Sequence, residues 1–370
     1  MRPRRLISAV ILGLSANCSL FNPVTNNYPE LALLLAGSAT SAASPSRFLF
    51  TVSAGDNMAR TLRINEESGT LSLISSQPLA AAGLRTHVHP SLPVFYSTLN
   101  ATPGGIDAFA FDSETGILQP AVTQRTSGGE DFSHAISAHP NGTMVLFSIV
   151  QPITQFYRSN LTSGLPSAPA LVSPALNANS QLAGLTPNGD FLYVSRATGG
   201  LERYSVAADG TMIQLGNTTI SGATISGRIS FSSDSKFLYT TSSANDVASF
   251  SIDGSGNLTP VSLFAAGVTN LSNAFVNPGG TRFYVLSYGN AIQTYSIASN
   301  GALTLLNQQS VASSTDFLCL DRSGRFLFIG QAAGAGDQIY SYNINSDGVP
   351  VLTGSLGTGN LLRSCAASSI

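Results

Sequence analysis

The chain has few charged residues, and this scarcity already excludes several kinds of partner. Asp, Glu, Lys and Arg together make up 10% of its 370 residues, and the formal net charge is -2. Lys236 is the only lysine. A protein that binds nucleic acid or an acidic lipid surface through electrostatics needs an excess of positive charge. We therefore expect neither partner. With so few charges, the polarity of the surface depends on Ser, Thr, Asn and Gly.

Long hydrophobic runs are also lacking. The apolar run at 6–16 follows three arginines within the first five residues. A helix that spans a bilayer needs about 20 apolar residues, so this pattern is typical of a cleaved export signal. The run leads into Leu-Ser-Ala-Asn-Cys, ending at Cys18, which resembles a bacterial lipobox with a lipidated cysteine. An ordinary signal peptide with an incidental cysteine is the alternative.

The segment after Cys18 is typical of a linker. Residues 18–45 are rich in Asn, Pro, Ser and Ala, as in a flexible tether. A second apolar run at 31–35 leaves cleavage near Ala42 as another option. The sequence therefore predicts a signal peptide at 1–17, a tether at 18–45 and a folded domain at 46–370. We expect an exported lipoprotein in the periplasm, the outer membrane or at the cell surface, held to the membrane through lipid alone.

A repeated turn and strand organise the folded domain. The copy at 187–195 reads Pro-Asn-Gly-Asp-Phe-Leu-Tyr-Val-Ser, a turn signal followed by an aromatic and β-branched run. Self-similarity with a period of about 45 residues is typical of a β-propeller with four strands in each repeat. The sequence therefore predicts an all-β, seven-bladed β-propeller. The repeated aromatic or leucine recurs every 44 to 50 residues, at Phe50, Tyr96, Leu146, Tyr193, Tyr239, Tyr284 and Phe328.

Each repeat carries further strand signals. A second strand alternates apolar and polar residues with a period of two, as in Leu201 to Val206. A hairpin follows, as at Asp209-Gly210, where glycine supplies the positive φ of a tight turn. The outermost strand of the blade then begins at Leu71, Leu118, Leu258 or Leu303 in four of the repeats.

The C-terminus is expected to close the ring. The first aromatic strand, at 47–52, has no inner strand before it, whereas the C-terminal residues 362–367 match 84–89 position for position. We predict that this segment becomes the inner strand of blade one, because closure removes the open ends of the ring. A closed ring has few exposed strand edges, so we expect a monomer.

Cysteine is scarce as well, with three in the chain. If Cys18 is lipidated, Cys319 and Cys365 remain, at equivalent positions of the neighbouring blades seven and one. The two can pair in this register. A cysteine on an inner strand is, however, more often a small buried apolar residue, and we expect the unpaired form.

One register position of the inner strands, together with its neighbour, gathers polar side chains. Arginine offers a planar fork of donors for carboxylate or phosphate, and histidine can act as an acid or base near neutrality. The pattern predicts a mildly cationic funnel for a small anionic ligand; the alternative is a mouth that is polar because it is solvated. The residues are Arg85, His134, Gln181, Arg228, Asn273, Asp316 and Arg363.

The other histidines favour structural roles. His87 and His89 alternate on one inner strand, but no cysteine or carboxylate completes a metal site at a recognisable spacing. His89 and His139 each precede a turn, a place that suits a capping side chain. No phosphate loop, dinucleotide-binding glycine pattern or nucleophile elbow occurs in its required context. We expect neither a metal nor a cofactor.

The repeat Pro-(Asn/Asp)-Gly-x-Phe-Leu-Tyr-Val, followed by Tyr-x-Ile and Asp-Gly-x-Leu, resembles the seven-bladed lactonase family. That family includes propeller-type 6-phosphogluconolactonase and the fungal carboxymuconate-lactonising enzymes. The resemblance covers residues 46–370 and implies an active site at one channel mouth, where the inner strands start. His134 matches the family's early histidine. Elsewhere the chain departs: Arg228 and Asn273 stand in blades without the family's histidine, and Asp316 replaces an arginine.

Two functions from different classes follow. The favoured one is a non-catalytic binding module at the cell envelope, because export does not suit a cytosolic sugar phosphate and family histidines are missing. Its partner is a small anion at the channel mouth, or a protein or glycan on the loops. The alternative is a carboxylic ester hydrolase of the 6-phosphogluconolactonase type. In that case Arg85, Arg228 and Arg363 hold the anionic group of a lactone while His134 activates water.

Overall fold

The computed structural model describes residues 47–368, apart from 128–130, 152–153, 173–181, 197–198, 220–227, 289–290, 312–314, 332–336 and 360. The predicted signal peptide, the tether and Cys18 lie outside the described residues. The described chain is all-β, with strands joined by turns and loops. A helix long and apolar enough to cross a membrane does not occur in this part of the chain.

The strands of the first half form four antiparallel sheets, each of which is a blade. Blade one contains β1 (Phe48–Ser53), β2 (Met58–Ile64) and β3 (Leu71–Pro78); blade two contains β4 (Ala82–Val88), β5 (Val94–Asn100), β6 (Gly105–Ala110) and β7 (Val122–Arg125); blade three contains β8 (Asp131–Ala138), β9 (Met144–Gln151), β10 (Gln155–Thr162), β11 (Leu165–Pro166) and β12 (Ala170–Leu171); blade four contains β13 (Ala183–Leu185), β14 (Phe191–Ser195), β15 (Leu201–Val206) and β16 (Met212–Thr218).

The second half adds three blades and one last strand. Blade five contains β17 (Ser230–Phe231), β18 (Phe237–Thr241), β19 (Asp246–Ile252) and β20 (Leu258–Ala265); blade six contains β21 (Leu271–Val276), β22 (Arg282–Ser287), β23 (Ala291–Ile297) and β24 (Leu303–Ser310); blade seven contains β25 (Thr315–Leu320), β26 (Phe326–Gln331), β27 (Asp337–Ile344) and β28 (Pro350–Gly359); the last strand is β29 (Leu362–Ala367). The fold is the seven-bladed β-propeller that the repeats predict.

The last strand closes the ring, as predicted. Strand β29 pairs antiparallel with β1, with Cys365 opposite Thr51, and gives blade one the order β29-β1-β2-β3. The first blade is therefore built from both ends of the domain. This pairing covers the edge of β1 that an unclosed ring would leave unpaired.

A disulfide links the closing strand β29 to blade seven. Cys319 on β25 and Cys365 on β29 are bonded, with their Cα atoms 6.0 Å apart. The expectation of unpaired cysteines was wrong. Closing the ring sets the inner strands of blades seven and one side by side, and equivalent positions then lie at the Cα separation that a disulfide requires.

The hydrophobic core consists of clusters between neighbouring blades. The ring of Phe50 in blade one stacks on Phe95 in blade two with centroids 4.8 Å apart. Between blades seven and one, Phe328, Leu49 and Leu362 belong to one cluster. Burying a large apolar side chain stabilises a protein by about 1.5–3 kcal/mol, so the repeated aromatic residues fix each blade on the next. All seven repeat positions are at most 1% exposed.

The hairpin glycines also join blades. Gly256 has a φ of +75°, and a Cβ added there would lie 2.7 Å from the ring of Phe191 in blade four. The hydroxyl of Tyr193 donates a 3.0 Å hydrogen bond to the Gly256 carbonyl. Tyr284 does the same to Gly348, also at 3.0 Å. Glycine is needed at these turns both for its positive φ and because the neighbouring blade packs directly on it.

Blade two departs from the predicted pattern at its outer edge. Its outermost strand begins at Val122, not at Leu118. Leu118 instead forms an isolated bridge with Phe111 and is 2% exposed. Pro120 follows two residues later, and a proline lacks the N–H that a continuous ladder requires. The strand therefore starts again after the proline.

Candidate functional site

Two cavities along the central channel are lined by described residues of the inner strands and their turns. The smaller cavity has a volume of about 210 Å³ and is bordered by residues of blades two to six. The second, which we call the turn-side cavity, has a volume of about 470 Å³ and extends to the turns that follow the inner strands. The two cavities share five lining residues, which are Thr86, His87, Arg228, Phe231 and Phe275.

Arg228 extends across the channel between these cavities. It lies just before β17 in blade five, and its Nη2 donates a 3.0 Å hydrogen bond to Ser364 Oγ on β29 of blade one. Blades five and one are not neighbours in the ring, so the side chain reaches from one wall to another. Its guanidinium lies over the ring of Phe275 at 5.2 Å from the centroid. Cation–π contact and hydrogen bond together fix the position of the charge.

Two buried hydroxyls hold the far end of this arginine. Ser364 is fully buried and Thr86 is 4% exposed. Thr86 N donates to Ser364 Oγ at 3.2 Å, and the two hydroxyl oxygens lie 3.0 Å apart. Since Ser364 Oγ accepts from both Thr86 N and Arg228, its own proton is left to donate to Thr86 Oγ1. All hydrogen-bonding positions of the serine hydroxyl are therefore used, and one of its two acceptor positions faces Arg228.

Arg85 borders the smaller cavity together with Arg228. It lies on β4, and its Nη1 donates to the carbonyls of Leu84 at 3.0 Å and of Arg363 at 3.5 Å. Two of the arginines predicted from the register are thus brought to one cavity. Guanidinium groups in a confined, partly desolvated space attract an anion more strongly than they would in bulk water.

His87 is a channel residue that the sequence analysis did not select. It borders both cavities beside Arg228. Burial lowers the pKa of its imidazole to about 4, and the positive charge of Arg228 adds to this shift. The ring is therefore neutral at pH 7. A signal was present in the sequence, because His87 follows Arg85 by two residues, and alternate residues of a strand share a face.

The remaining predicted residues have different outcomes. Asn273 on β21 is 8% exposed and, like Arg363 on β29, does not border either cavity. The carbonyl of Arg363 contributes by accepting from Arg85. His134 belongs to β8 and Asp316 to β25, but their side chains lie outside the described part, as does Gln181 altogether. Their predicted roles therefore stay predictions.

Four other arginines make structural contacts between blades. Each donates to a carbonyl in the hairpin of the following blade, a contact that fixes the rim of the propeller and leaves the channel alone. The contacts are Arg63 to Thr115 at 3.3 Å, Arg203 to Gly256 at 3.1 Å, Arg282 to Asp347 at 3.3 Å, and Arg158 to Asp209.

The turn-capping role predicted for His89 and His139 is confirmed. His89 Nδ1 accepts from Ser91 N at 3.1 Å and Leu92 N at 3.0 Å. Its Nε2 is then the protonated nitrogen and donates to the Gly142 carbonyl at 3.1 Å. His139 Nδ1 accepts from Asn141 N at 3.3 Å. Neither ring is placed for chemistry, and a cluster of three or more potential metal ligands is not found in the described residues.

The fold and the channel define a class of protein: a seven-bladed β-propeller with arginine and histidine side chains inside its central channel. The family model described as lactonase, 7-bladed β-propeller, matches residues 238–358, which run from blade five to blade seven. The match covers about a third of the chain and confirms the resemblance to this family over those blades. Curated protein sequences give no match to the chain.

Solved structures share the architecture. A candidate 6-phosphogluconolactonase from Bacteroides fragilis superimposes with a TM-score of 0.71 at 17% identity, covering 88% of this chain and 98% of that one. The periplasmic gluconolactonase of Pseudomonas aeruginosa gives 0.70 at 16%, covering 85% and 98%. A protein of unknown function from Desulfotomaculum acetoxidans gives 0.73 at 14%, covering 87% and 99%. At these identities the likeness establishes the fold alone.

Proposed function

We propose that this lactonase-like propeller is an exported binding protein that takes a small anionic ligand into its central channel. The observation that carries the proposal is that Arg85 and Arg228 border one cavity of about 210 Å³ together with His87. Since a water molecule occupies about 30 Å³ of the liquid, such a space suits a ligand the size of a single sugar acid. A carboxylate or phosphate between the two guanidinium groups matches their donor geometry.

Arg228 is already positioned to bind an anion. Arg228 is held by Ser364 and Phe275 before any ligand arrives. Holding a long side chain in place beforehand removes part of the ordering cost of binding. His87 is neutral at pH 7 and adds no charge of its own. Among the described residues that border this cavity, the two arginines therefore supply the positive charge for the ligand.

Export and lipid attachment belong to the same proposal. Support comes from the leader sequence and from the disulfide between Cys319 and Cys365, since disulfides persist in oxidising compartments. The likeness to a protein that is named as periplasmic points the same way. Incorporation of labelled palmitate into the protein, and its loss in Cys18→Ala, tests the anchor at Cys18. If the wild-type protein incorporates no palmitate, the lipid anchor is ruled out, and export would then depend on an ordinary signal peptide.

A second candidate function is hydrolysis of a lactone, and the position of His87 favours it. A neutral imidazole beside Arg228 can take a proton from water as its oxygen attacks the lactone carbonyl carbon. The ring C–O bond then breaks, and the imidazolium returns its proton to the leaving oxygen. Arg228 stabilises the negative charge on the carbonyl oxygen. The carboxylic acid that forms loses its remaining proton to solvent, and Arg228 holds the resulting carboxylate. In this scheme His87 takes the role that the sequence assigned to His134.

The test measures binding and turnover on the same samples of residues 46–370. Binding of gluconate and 6-phosphogluconate is measured by calorimetry, and opening of gluconolactone by a pH indicator. We expect Arg228→Ala and Arg85→Ala to weaken binding about tenfold or more, since each removes a charge-assisted contact. Arg63→Ala, which alters a rim arginine, is the matched control.

The two candidate functions separate on His87→Gln. Binding that survives this change, with hydrolysis at background in both proteins, supports the binding protein. Hydrolysis that is lost in His87→Gln but kept in His134→Gln supports the lactonase with His87 as its base. If gluconate and 6-phosphogluconate do not bind, the small-anion proposal fails, and protein or glycan partners of the loops become the next candidates.

A further inference from the structure

The turn-side cavity is larger than the cavity that the proposed function uses. Its volume is about 470 Å³, and it is bordered by inner strands of blades one, two and five to seven. It extends to residues of the turns after these strands, among them Pro90, Ser233, Pro278 and Arg322. Arg85 does not border it, and of the predicted funnel residues with described side chains only Arg228 does.

Most of the wall of this cavity is apolar. The ring of Phe275 lies against the Arg228 guanidinium, and the ring of Phe231 borders the same cavity. Val276 and Leu320 extend the apolar wall toward the turns, and the Cys319–Cys365 disulfide is also part of this wall. A ligand with an apolar body would gain from the removal of this surface from water.

The turn-side cavity has an arginine at each end. Arg228 lies where the two cavities meet, and Arg322 lies at the turn between β25 and β26. The nearby Asp321 carboxylate is already used: Oδ1 accepts from Phe326 N at 2.8 Å, and Oδ2 accepts from Ser323 N at 3.0 Å and from the Ser323 hydroxyl. Its oxygens are thus oriented by the turn, but the carboxylate keeps its negative charge. Because Arg228 and Arg322 outnumber this one carboxylate and His87 is neutral at pH 7, the described lining of the cavity has a net positive charge.

We propose that the turn-side cavity is a second binding site, for a small carboxylate with an apolar body such as an aromatic acid. The carboxylate contacts the Arg228 guanidinium, and the body lies against Phe231, Phe275 and the disulfide. Arg322 attracts the anion at the entrance. The site differs from that of the proposed function in extending to the turns and in not using Arg85, although both depend on Arg228.

Benzoate is the probe for this site, and gluconate serves for the smaller cavity. Binding of each to residues 46–370 is measured by calorimetry for the wild type, Arg322→Ala, Ser233→Trp and Arg85→Ala. Ser233 is an exposed turn residue, so the tryptophan occupies the entrance without disturbing the core. Matching circular dichroism spectra and melting temperatures verify that each variant is folded.

We expect Arg322→Ala to weaken benzoate binding several-fold and Ser233→Trp to weaken it by about tenfold or more. Arg85→Ala should leave benzoate binding unchanged. Benzoate that fails to bind at millimolar concentration overturns the proposal. So does benzoate binding that is weakened by Arg85→Ala but unaffected by both turn variants. If gluconate does not bind while benzoate binding changes as expected in the variants, the proposed function is ruled out and the second site is supported.

Discussion

Arg228 and Ser364 meet across the central channel: Nη2 of the arginine in blade five donates a 3.0 Å hydrogen bond to Oγ of the serine in the closing strand β29. The serine belongs to the segment that completes the ring, next to the disulfide-bonded Cys365. Closure of the propeller therefore also sets the position of the charge at the centre of the channel.

Ser364→Ala should weaken binding of small anions without unfolding the protein. The substitution removes the acceptor that orders Arg228, and ordering one long side chain on binding costs about 0.5–1.5 kcal/mol. We expect a loss in affinity of about threefold to tenfold by calorimetry. Ser355→Ala, at an exposed serine of β28, is the matched control. Equal affinities in the wild type and Ser364→Ala would show that the hydrogen bond does not position Arg228 for a ligand.

His87 should make stability depend on pH. The pKa of its imidazole lies at about 4 in the folded protein, below the ordinary 6.5, so the unfolded chain binds a proton that the folded protein does not. Stability should fall as the pH drops from about 6.5 to about 4, by at most about 3 kcal/mol. Denaturant unfolding across this range, compared with His87→Gln, measures the effect.

The slope of stability against pH should be smaller in His87→Gln than in the wild type. Burial also lowers the pKa of His89, so part of the slope stays in the variant. The difference between the two proteins at pH 8 gives the effect of the substitution that is unrelated to titration. Parallel curves for wild type and variant between pH 7 and pH 4.5 would rule out the shift at His87.

Reduction of the Cys319–Cys365 disulfide should destabilise the domain. Cross-links of this kind typically stabilise a protein by about 2–4 kcal/mol, and this one joins the closing strand to blade seven. Denaturant unfolding with and without a reductant measures the loss in the wild type. The double variant Cys319→Ser/Cys365→Ser should be less stable and insensitive to the reductant. If the reductant leaves the stability of the wild type unchanged, the disulfide does not stabilise the domain in solution.

Deletion of residues 358–370 should unfold or aggregate the domain. The deletion removes β29, which exposes the edge of β1 and takes Leu362 and Cys365 from the cluster between blades seven and one. Size-exclusion chromatography and circular dichroism provide the readout, with a chain that ends at Ser368 as the control. A truncated protein that is monomeric and melts like the control would show that the ring is stable without its closing strand.

Gly256→Ala should be more damaging than Gly254→Ala in the same hairpin. Gly256 has a φ of +75° and packs against Phe191, whereas a Cβ at Gly254 meets nothing within 4 Å. Left-handed backbone costs an alanine about 1–2 kcal/mol, before any displacement of the ring. Substitution at an unconstrained surface glycine usually changes stability by about 0.5 kcal/mol or less. Equal melting temperatures for the two variants would be inconsistent with this packing.

The sequence by itself determined the number and order of the blades. Each repeat contains its own hairpin glycine and its buried aromatic residue or leucine, as at Gly210 and Tyr193, and an alternating strand such as Leu201–Val206. These are local signals, and local backbone preferences act on them in the same way in every copy. The match between 84–89 and 362–367 added the closure of the ring, because equivalent segments occupy equivalent places in a repeat fold.

Tertiary structure decided what happens inside the channel. That Cys319 bonds to Cys365, that His87 stands beside Arg228, and that Arg228 reaches Ser364 all depend on which inner strands face each other. The period of a repeat places residues at the same height but does not give the distance between strands or the direction of a long side chain. For that reason the register brought out Arg85 and Arg228, whereas the position of His87 beside Arg228 and the disulfide were established only by the folded structure.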